Sequence, residues 1–213
     1  MINLSYKYRV YGRKKGRKNK AIDLGIYKKY LLKFERDFNI QKNIILDIGS
    51  GTGESTLFLA KKNPNSLILF SDVFEDGNIK LSKKLSELKI NNVKFYNKNI
   101  IKLFDDLHHN NYFSEIWILF PDPWPKKRHH KRRLINHTFL NYIHNFLKDS
   151  GRIMIATDSS SYMQLIFNLI YELKHKYEWE NQNYQTWNYE FLDLAETKFY
   201  KKALNSNRKS TFF

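Results

Sequence analysis

The sequence predicts an α/β fold of the doubly wound type, in which helices cover both faces of a mostly parallel sheet. Three observations lead to this prediction. Short apolar runs alternate with helical patterns, a glycine-rich turn follows the first run, and polar residues, often acids, follow later runs. This alternation is typical of parallel strands joined by crossover helices, which need connections of this length.

The first unit of the sheet is the most informative. Residues 44–46 are an apolar run that predicts a buried strand, and residues 54–62 have helical spacing. Between them stand Gly49, Gly51 and Gly53 at alternate positions. Glycines serve where the backbone turns tightly and must approach a ligand closely. A strand, a glycine turn and a helix predict the nucleotide-binding start of a doubly wound sheet.

Two acids of this unit favour one ligand over another. Glu54 occupies the place of the third glycine in the dinucleotide fingerprint Gly-x-Gly-x-x-Gly. Asp47 ends the strand just before the turn. A carboxylate there would repel a pyrophosphate but suits the ammonium and sulfonium groups of S-adenosylmethionine. The alternative is a tight βα turn that binds no ligand.

Composition limits the class of protein. The 213 residues suit one domain, and the 42% hydrophobic content with a mean hydropathy of −0.61 indicates a soluble chain. The absence of Cys excludes disulfides and thiolate metal sites and fits a cytoplasmic protein, and the start of the chain lacks the apolar region of a secretory signal. A net charge of +16 favours a polyanionic partner, nucleic acid first and an anionic membrane second.

The N-terminal residues 1–20 carry eight Lys or Arg and no acid, with three tyrosines between them. We expect a flexible basic arm that contacts phosphates, followed by a single domain over residues 21–213. A solvated tail without a ligand is the alternative. Asp23 is expected to cap a helix that continues to Phe38.

The next two strands also end in polar residues. Asp72 follows the apolar run 67–71 and lies 19 residues after Gly53, near the offset at which an acid accepts from a ribose hydroxyl. Its alternative role is a helix cap. Asn99 follows a predicted strand over residues 93–96, where it either reads an adenine amino group or simply forms a turn.

A predicted strand over residues 114–120 leads into the proline loop, residues 121–125, with the sequence Pro-Asp-Pro-Trp-Pro. Three prolines stiffen the loop. It presents Asp122 and Trp124 at the edge where ligands bind in such folds, as a platform for a base. A connector with Trp124 buried in the core is the alternative.

The basic segment, residues 126–133, follows directly with six Lys or Arg and two His. Beside the crevice it would attract phosphates, although such runs are also solvated faces or localisation signals. The His pair lacks Cys or acidic companions at ligand spacing, so we expect no metal site.

Further along, residues 134–147 have a helical pattern and residues 152–157 predict the fifth strand. Asp158 follows this strand, either facing the ligand or capping a helix over residues 160–174. Residues 209–213 are a candidate terminal strand.

Together these motifs resemble the bacterial type of tRNA (guanine-N7)-methyltransferase. The Pro-Asp-Pro-Trp loop followed by Lys, His and Arg is their most specific part, and Thr197-Lys-Phe belongs to the same pattern. The resemblance implies a Rossmann-like class I methyltransferase with a seven-stranded, mostly parallel sheet and helices on both faces. It also implies S-adenosylmethionine as donor and a guanine of the tRNA variable loop as acceptor.

The resemblance also implies roles for individual residues. Asp122 would be the catalytic acidic residue. The donor site would comprise Asp47, Gly49, Gly51, Asp72, Asn99 and Asp122. Substrate contacts would come from Lys126, Asp158, Thr197 and Tyr200, and RNA contacts from Arg128, His129, His130, Lys131, Arg132 and Arg133. Three departures stand out: Tyr200 replaces the usual Glu, Phe74 a His, and Asp47 and Asp72 the common Glu.

Other functions remain open at this point. The enzyme could act on rRNA or on another RNA base, or the chain could be a non-catalytic RNA-binding module of the same fold. A nicotinamide-dependent reductase is disfavoured by the glycine spacing and the basic segment. No membrane partner is expected, and the sequence does not decide between a monomer and a homodimer.

Overall fold

The computed structural model describes residues 24–34, 43–107, 110–187 and 197–213. The basic arm predicted over residues 1–20 and the cap predicted at Asp23 lie outside these residues. The division into an arm and a domain therefore stays a prediction.

The described residues form a central sheet whose strand order is β3-β2-β1-β4-β5-β6. Strands β1 to β5 are parallel to one another, and β6 is antiparallel to β5. The strands are β1 (Ile44–Ile48), β2 (Leu67–Ser71), β3 (Val93–Tyr96), β4 (Phe113–Leu119), β5 (Leu147–Thr157) and β6 (Thr211–Phe212). The predicted α/β class is confirmed, but six strands lie within the described ranges, and the seventh predicted strand is not confirmed.

The helices cover both faces of the sheet, as the doubly wound class requires. They are α1 (Leu24–Tyr30), α2 (Glu54–Lys62), α3 (Glu75–Glu87), α4 (Ile100–Asp106), α5 (His137–Ile143), α6 (Ser160–Glu172) and α7 (Lys198–Asn205). Side chains of α2 and α3 pack with Ile45, Ile68 and Phe70 on one face. Those of α4, α5 and α6 pack with Leu46 and Leu69 on the other. Alternate residues of one strand thus serve two cores.

Two predicted helices are shorter than expected, each because of a contact that the pattern does not show. The first helix ends at Tyr30, because Leu31 pairs with Phe95 of β3 and the Leu32 amide donates to the Phe95 carbonyl; the predicted end at Phe38 lies outside the described residues. The helix predicted from residue 134 starts at His137, because the Asn136 side chain accepts from the Phe139 amide and caps it.

The parallel strands place the carboxyl ends of β1, β2, β4 and β5 at one edge. Since β1 lies between β2 and β4, the chain reverses its strand order at β1. Ligands of such sheets bind in the crevice at that reversal. Among the described residues, no helix combines the length and hydropathy needed to cross a bilayer.

Candidate active site

The glycine turn, residues 49–53, has a backbone that other residues would adopt only with strain. Gly49, Gly51 and Gly53 have φ angles of +76°, +59° and +85°. The Gly49 amide donates to the Ser71 carbonyl, which ties the turn to the end of β2. A Cβ added at Gly49 would meet nothing within 4 Å, so the space beside this residue is open to a ligand.

Asp47 supports this turn from inside the protein. Its side chain is buried, and its Oδ2 accepts hydrogen bonds of 2.7 Å from the hydroxyls of both Ser55 and Thr56 in α2. Burial raises the pKa of Asp47 to about 6, against the lowering effect of these hydrogen bonds. The carboxyl group therefore fixes the start of α2 against β1, and a nearby cation would favour its charged form.

Asp72 holds the same turn from the neighbouring strand. Its Oδ2 accepts from the Gly51 amide and its Oδ1 from the Phe74 amide, both at 2.8 Å. Phe74, not Asp72, is the N-cap of α3, so the capping alternative does not hold. Each carboxylate oxygen has a second lone pair, so a ribose hydroxyl could still donate to it.

Three carboxylates influence one another across the crevice. Burial raises the pKa of Asp72, and the charge of Asp122 adds to that rise. The charge of Asp72 in turn contributes to the raised pKa of Asp47. The ends of β1, β2 and β4 thus carry three acids at the edge of the sheet where the glycine turn and the proline loop also lie, with Asp47 buried and Asp122 exposed. These negatively charged carboxylates suit a cationic ligand and would repel a pyrophosphate.

The backbone is strained at the residue before the proline loop and again within the loop. Phe120 and Trp124 have φ angles of +50° and +44°, which bulky side chains rarely adopt. Asp122 between them is exposed to solvent. Trp124 is half-buried, with its ring 5.9 Å from that of His129 and 5.0 Å from the guanidinium of Arg132. The tryptophan thus lies against the basic segment instead of filling the core.

The basic segment includes a 3-10 helix over Lys127–Arg132. Lys126, Arg128 and Lys131 are exposed, as a phosphate-binding surface requires, and His129 and His130 are partly exposed. These residues and Arg132 remain predicted contacts.

Arg133 is the buried cation of the basic segment. It is only 3% exposed, and its guanidinium donates to the Pro123 carbonyl, the Ser161 carbonyl and the Ser161 hydroxyl. Its side chain points into the protein, unlike those of the exposed cations, so the predicted RNA contact of Arg133 lacks the exposure that such a contact uses and stays a prediction.

Asn99 and Asp158 have structural partners of their own. The Asn99 Oδ1 accepts from the Ile101 amide and caps α4, a helix-capping role instead of the simple turn offered as the alternative, and the adenine contact stays a prediction. Asp158 does not cap α6, whose N-cap is Ser159. Its Oδ2 instead accepts from the Arg208 guanidinium at 2.8 Å.

The C-terminal helix α7 lies beside the glycine turn. Thr197 caps it, since its hydroxyl accepts from the Tyr200 amide at 3.1 Å. The Tyr200 ring stacks on Phe120 with centroids 6.0 Å apart, which occupies one face of the side chain predicted to contact guanine. A Cβ on Gly51 would lie 3.5 Å from the ring of Phe199, so this ring borders the crevice.

Sequence reasoning missed Gly77 and Arg208. A Cβ on Gly77 would lie 2.2 Å from the Gly51 carbonyl oxygen, so α3 approaches the glycine turn closely enough to require glycine. An isolated glycine in a helical pattern signals such an approach, and this signal was available. The pairing of Arg208 with Asp158 spans 50 residues and has no local signal.

The described part of the chain brings together no group of three His, Cys, Asp or Glu side chains that could hold a metal ion. The site is thus defined by the carboxylates of the crevice and the cations beside it.

Comparisons with known proteins agree with this geometry. Residues 41–212 match the family model described as "Putative methyltransferase". The tRNA (guanine-N(7)-)-methyltransferase of Neorickettsia sennetsu is 32% identical over 170 residues, covering 80% of this chain and 78% of that protein. The enzyme of the same name from Buchnera aphidicola subsp. Schizaphis graminum is 34% identical over 209 residues, covering 92% and 85%.

A solved structure supports the fold alone. An antibiotic-related methyltransferase superposes with a TM-score of 0.54 at 17% identity, covering 91% of this chain and 94% of that one. The family match, the two relatives and the crevice at the β1–β4 edge lead to one assignment. The chain belongs to the tRNA (guanine-N7)-methyltransferase family, a group of S-adenosylmethionine-dependent enzymes with the Rossmann-like class I fold.

Proposed function

We propose that this enzyme transfers the methyl group of S-adenosylmethionine to N7 of a guanine in the variable loop of tRNA. Family membership supports the reaction. The observation that supports the site is the electrostatic coupling of Asp72 to Asp47 of β1 and to Asp122 of the proline loop, next to an exposed cationic segment. A cytoplasmic location and a monomeric or homodimeric state belong to the same proposal.

The donor side would be formed by the glycine turn and the ends of β1 to β3. Asp72 would accept from the ribose, and Asn99 would lie near the adenine. The open space beside Gly49 would admit the amino acid part, whose ammonium the buried Asp47 favours electrostatically. S-adenosylmethionine supplies a methyl group activated by its bond to a positively charged sulfur.

The acceptor atom needs no deprotonation. Guanine N7 is a lone-pair acceptor on the major-groove edge and carries no proton in the neutral base. As the N7–carbon bond forms, the carbon–sulfur bond breaks and its electron pair stays on sulfur. The positive charge therefore moves from sulfur to the imidazole ring of guanine.

The contribution of the protein is alignment and charge. Holding the reactants in line can supply about 7–11 kcal/mol. A fixed carboxylate near the purine, for which Asp122 is the candidate, stabilises the charge that develops there. Because Asp122 is exposed and its loop is stiff, its carboxylate would be available to the purine without a change of backbone.

Recognition of guanine would use the end of β5 and the start of α7. Asp158 would accept from guanine N1–H and N2–H through lone pairs that its bond to Arg208 leaves available. Lys126, Thr197 and Tyr200 would line the same pocket. The exposed cations of the basic segment would hold the phosphates.

The test is a methyl-transfer assay with radiolabelled donor on bulk tRNA that lacks this modification and, in a parallel reaction, on rRNA, with nucleoside analysis of the products. We expect 7-methylguanosine. A different methylated nucleoside would assign the enzyme to another base, and label in rRNA alone would assign it to the ribosome. Absence of donor binding in calorimetry would identify a non-catalytic RNA-binding module.

A further inference from the structure

Arg133 differs from the other cations of the basic segment in its surroundings. It is 3% exposed, whereas Arg128 and Lys131 are exposed. Burying a charged group is unfavourable unless hydrogen bonds compensate for its lost hydration. The position of this guanidinium is therefore set by what it contacts inside the protein.

Its contacts join two segments that are distant in sequence. Nε donates to the Pro123 carbonyl at 2.8 Å, while Nη1 and Nη2 donate to the carbonyl and hydroxyl of Ser161 at 3.0 and 2.7 Å. Pro123 is adjacent to Asp122, and Ser161 lies three residues after Asp158. One planar group thus connects the loop after β4 with the start of α6.

The ring of Tyr162 completes this arrangement. The Arg133 guanidinium lies 4.8 Å from the ring centroid, and the Tyr162 hydroxyl accepts from the Ile135 amide at 2.8 Å. Tyr162 is fully buried, and the charge of Asp122 contributes to a raised pKa of its hydroxyl. The arginine and the tyrosine therefore pack on each other beneath the loop that carries Asp122.

The proline loop needs such an attachment. Prolines fix φ within the loop but do not determine where the loop lies relative to the rest of the site. Positive φ angles at Phe120 and Trp124 persist only where surrounding contacts hold them. The hydrogen bond to the Pro123 carbonyl is a contact of this kind.

We infer that Arg133 is a positioning residue, which fixes Asp122 relative to Asp158 by tying the proline loop to the start of α6. This inference rests on the proposed methyl transfer. Arginine is required because a single ammonium cannot reproduce the fork that serves Pro123 and Ser161 together.

The main test compares Arg133→Lys with the native enzyme. At saturating tRNA and donor we expect kcat to fall about 100-fold, the loss typical of misplacement by about 1 Å. The tRNA Kd and its dependence on salt should not change. In hydrogen exchange, the amides of Asp122 and Trp124 should exchange faster, which reports on the loop independently of turnover.

Three controls make the result specific. Arg152→Lys is the same change at an exposed arginine paired with Glu180, and it should leave kcat and Kd unchanged. Arg128→Gln should lower the salt slope of tRNA binding by about 0.9, as expected for one lost phosphate contact. Ser161→Ala removes one of the three hydrogen bonds, so kcat should fall several-fold even if Arg133→Lys fails to fold.

Full kcat in folded Arg133→Lys, or in Ser161→Ala if the lysine variant does not fold, would overturn the inference. A salt slope reduced by about one, with turnover restored by excess tRNA, would make Arg133 a phosphate contact. If the native enzyme transfers no methyl group, the proposed function fails, and hydrogen exchange alone decides whether Arg133 holds the loop.

Discussion

The two sides of the crevice are constructed differently. On the donor side, Asp47 and Asp72 accept hydrogen bonds from the chain itself, and together they fix the glycine turn. On the acceptor side, Asp122 is exposed on a strained loop that Arg133 holds from behind. On the donor side, the same acids would bind the ligand and support the backbone. On the acceptor side, Asp122 would act on the substrate, while Arg133 supports the loop.

This difference predicts how substitutions should act. Changes to donor-side acids should alter stability and donor binding together. A change to Asp122 on the acceptor side should lower activity and leave stability almost unchanged, because the exposed carboxylate contributes little to folding. The following experiments test that separation, from the largest expected effect to the smallest.

Replacing Asp122 by alanine should lower kcat about 100- to 1,000-fold, because a fixed charge near the reacting purine is lost. The free energy of unfolding should change by less than about 0.5 kcal/mol, as at other exposed sites. Rapid-quench turnover and urea unfolding check the two expectations, and tRNA affinity should stay largely intact.

Asp122→Asn is the matched comparison for that variant. Low activity in both would assign the effect to charge, while an asparagine variant with most of its activity would favour hydrogen bonding. Normal turnover in Asp122→Ala would refute the catalytic role.

Asp47 should reduce stability as pH rises. Its pKa is raised from 3.8 to about 6, so between these values the folded protein retains a proton that the unfolded chain has lost. The free energy of unfolding therefore falls by up to about 3 kcal/mol as pH rises through this window. In Asp47→Asn, which keeps an acceptor for Ser55 and Thr56, this fall should be absent.

Urea unfolding from pH 4 to 7 measures the free energy of unfolding of the native protein and of Asp47→Asn. The contributions of other titrating groups cancel when one curve is subtracted from the other. Parallel curves would show that Asp47 does not titrate in this range. Affinity of the native protein for the cationic donor should rise over the same pH range, and the variant should lack this rise.

Gly77→Ala tests how the glycine turn is supported. Alanine would add about 1 kcal/mol of helix propensity, but its Cβ would lie 2.2 Å from the Gly51 carbonyl oxygen. Overpacking of this kind costs about 1–3 kcal/mol, so we expect a net loss of stability. Donor Kd should weaken about tenfold with unchanged tRNA affinity, as measured by calorimetry. Lys84→Ala, at an exposed position of the same helix, is the control, and a stabilised Gly77→Ala would contradict the proposed contact.

The sequence was sufficient for features that depend on local patterns. The strand over residues 93–96 and the helix over residues 54–62 have the predicted bounds, because apolar runs and helical periodicity determine them directly. The crevice could also be anticipated, since parallel strands bring their carboxyl ends to one edge.

Features that depend on distant contacts could not be predicted. In a run of cations, nothing local separates Arg133 from Arg132, and its burial depends on Ser161, 28 residues away. The early end of α1 depends on Phe95, and the hydrogen bonding of Asp158 depends on Arg208, 50 residues away. The functional roles of the site residues remain predictions that the experiments above address.

The strained loop has a consequence for the evolution of this enzyme. Each unfavourable φ angle, at Phe120 and at Trp124, costs about 1–3 kcal/mol. Glycine at Trp124 would relieve that cost, whereas glycine at Phe120 would also remove a buried ring that stacks on Tyr200. Variants selected for heat resistance alone would therefore tend to lose the strained conformation of the loop that presents Asp122. Such variants would have lower turnover.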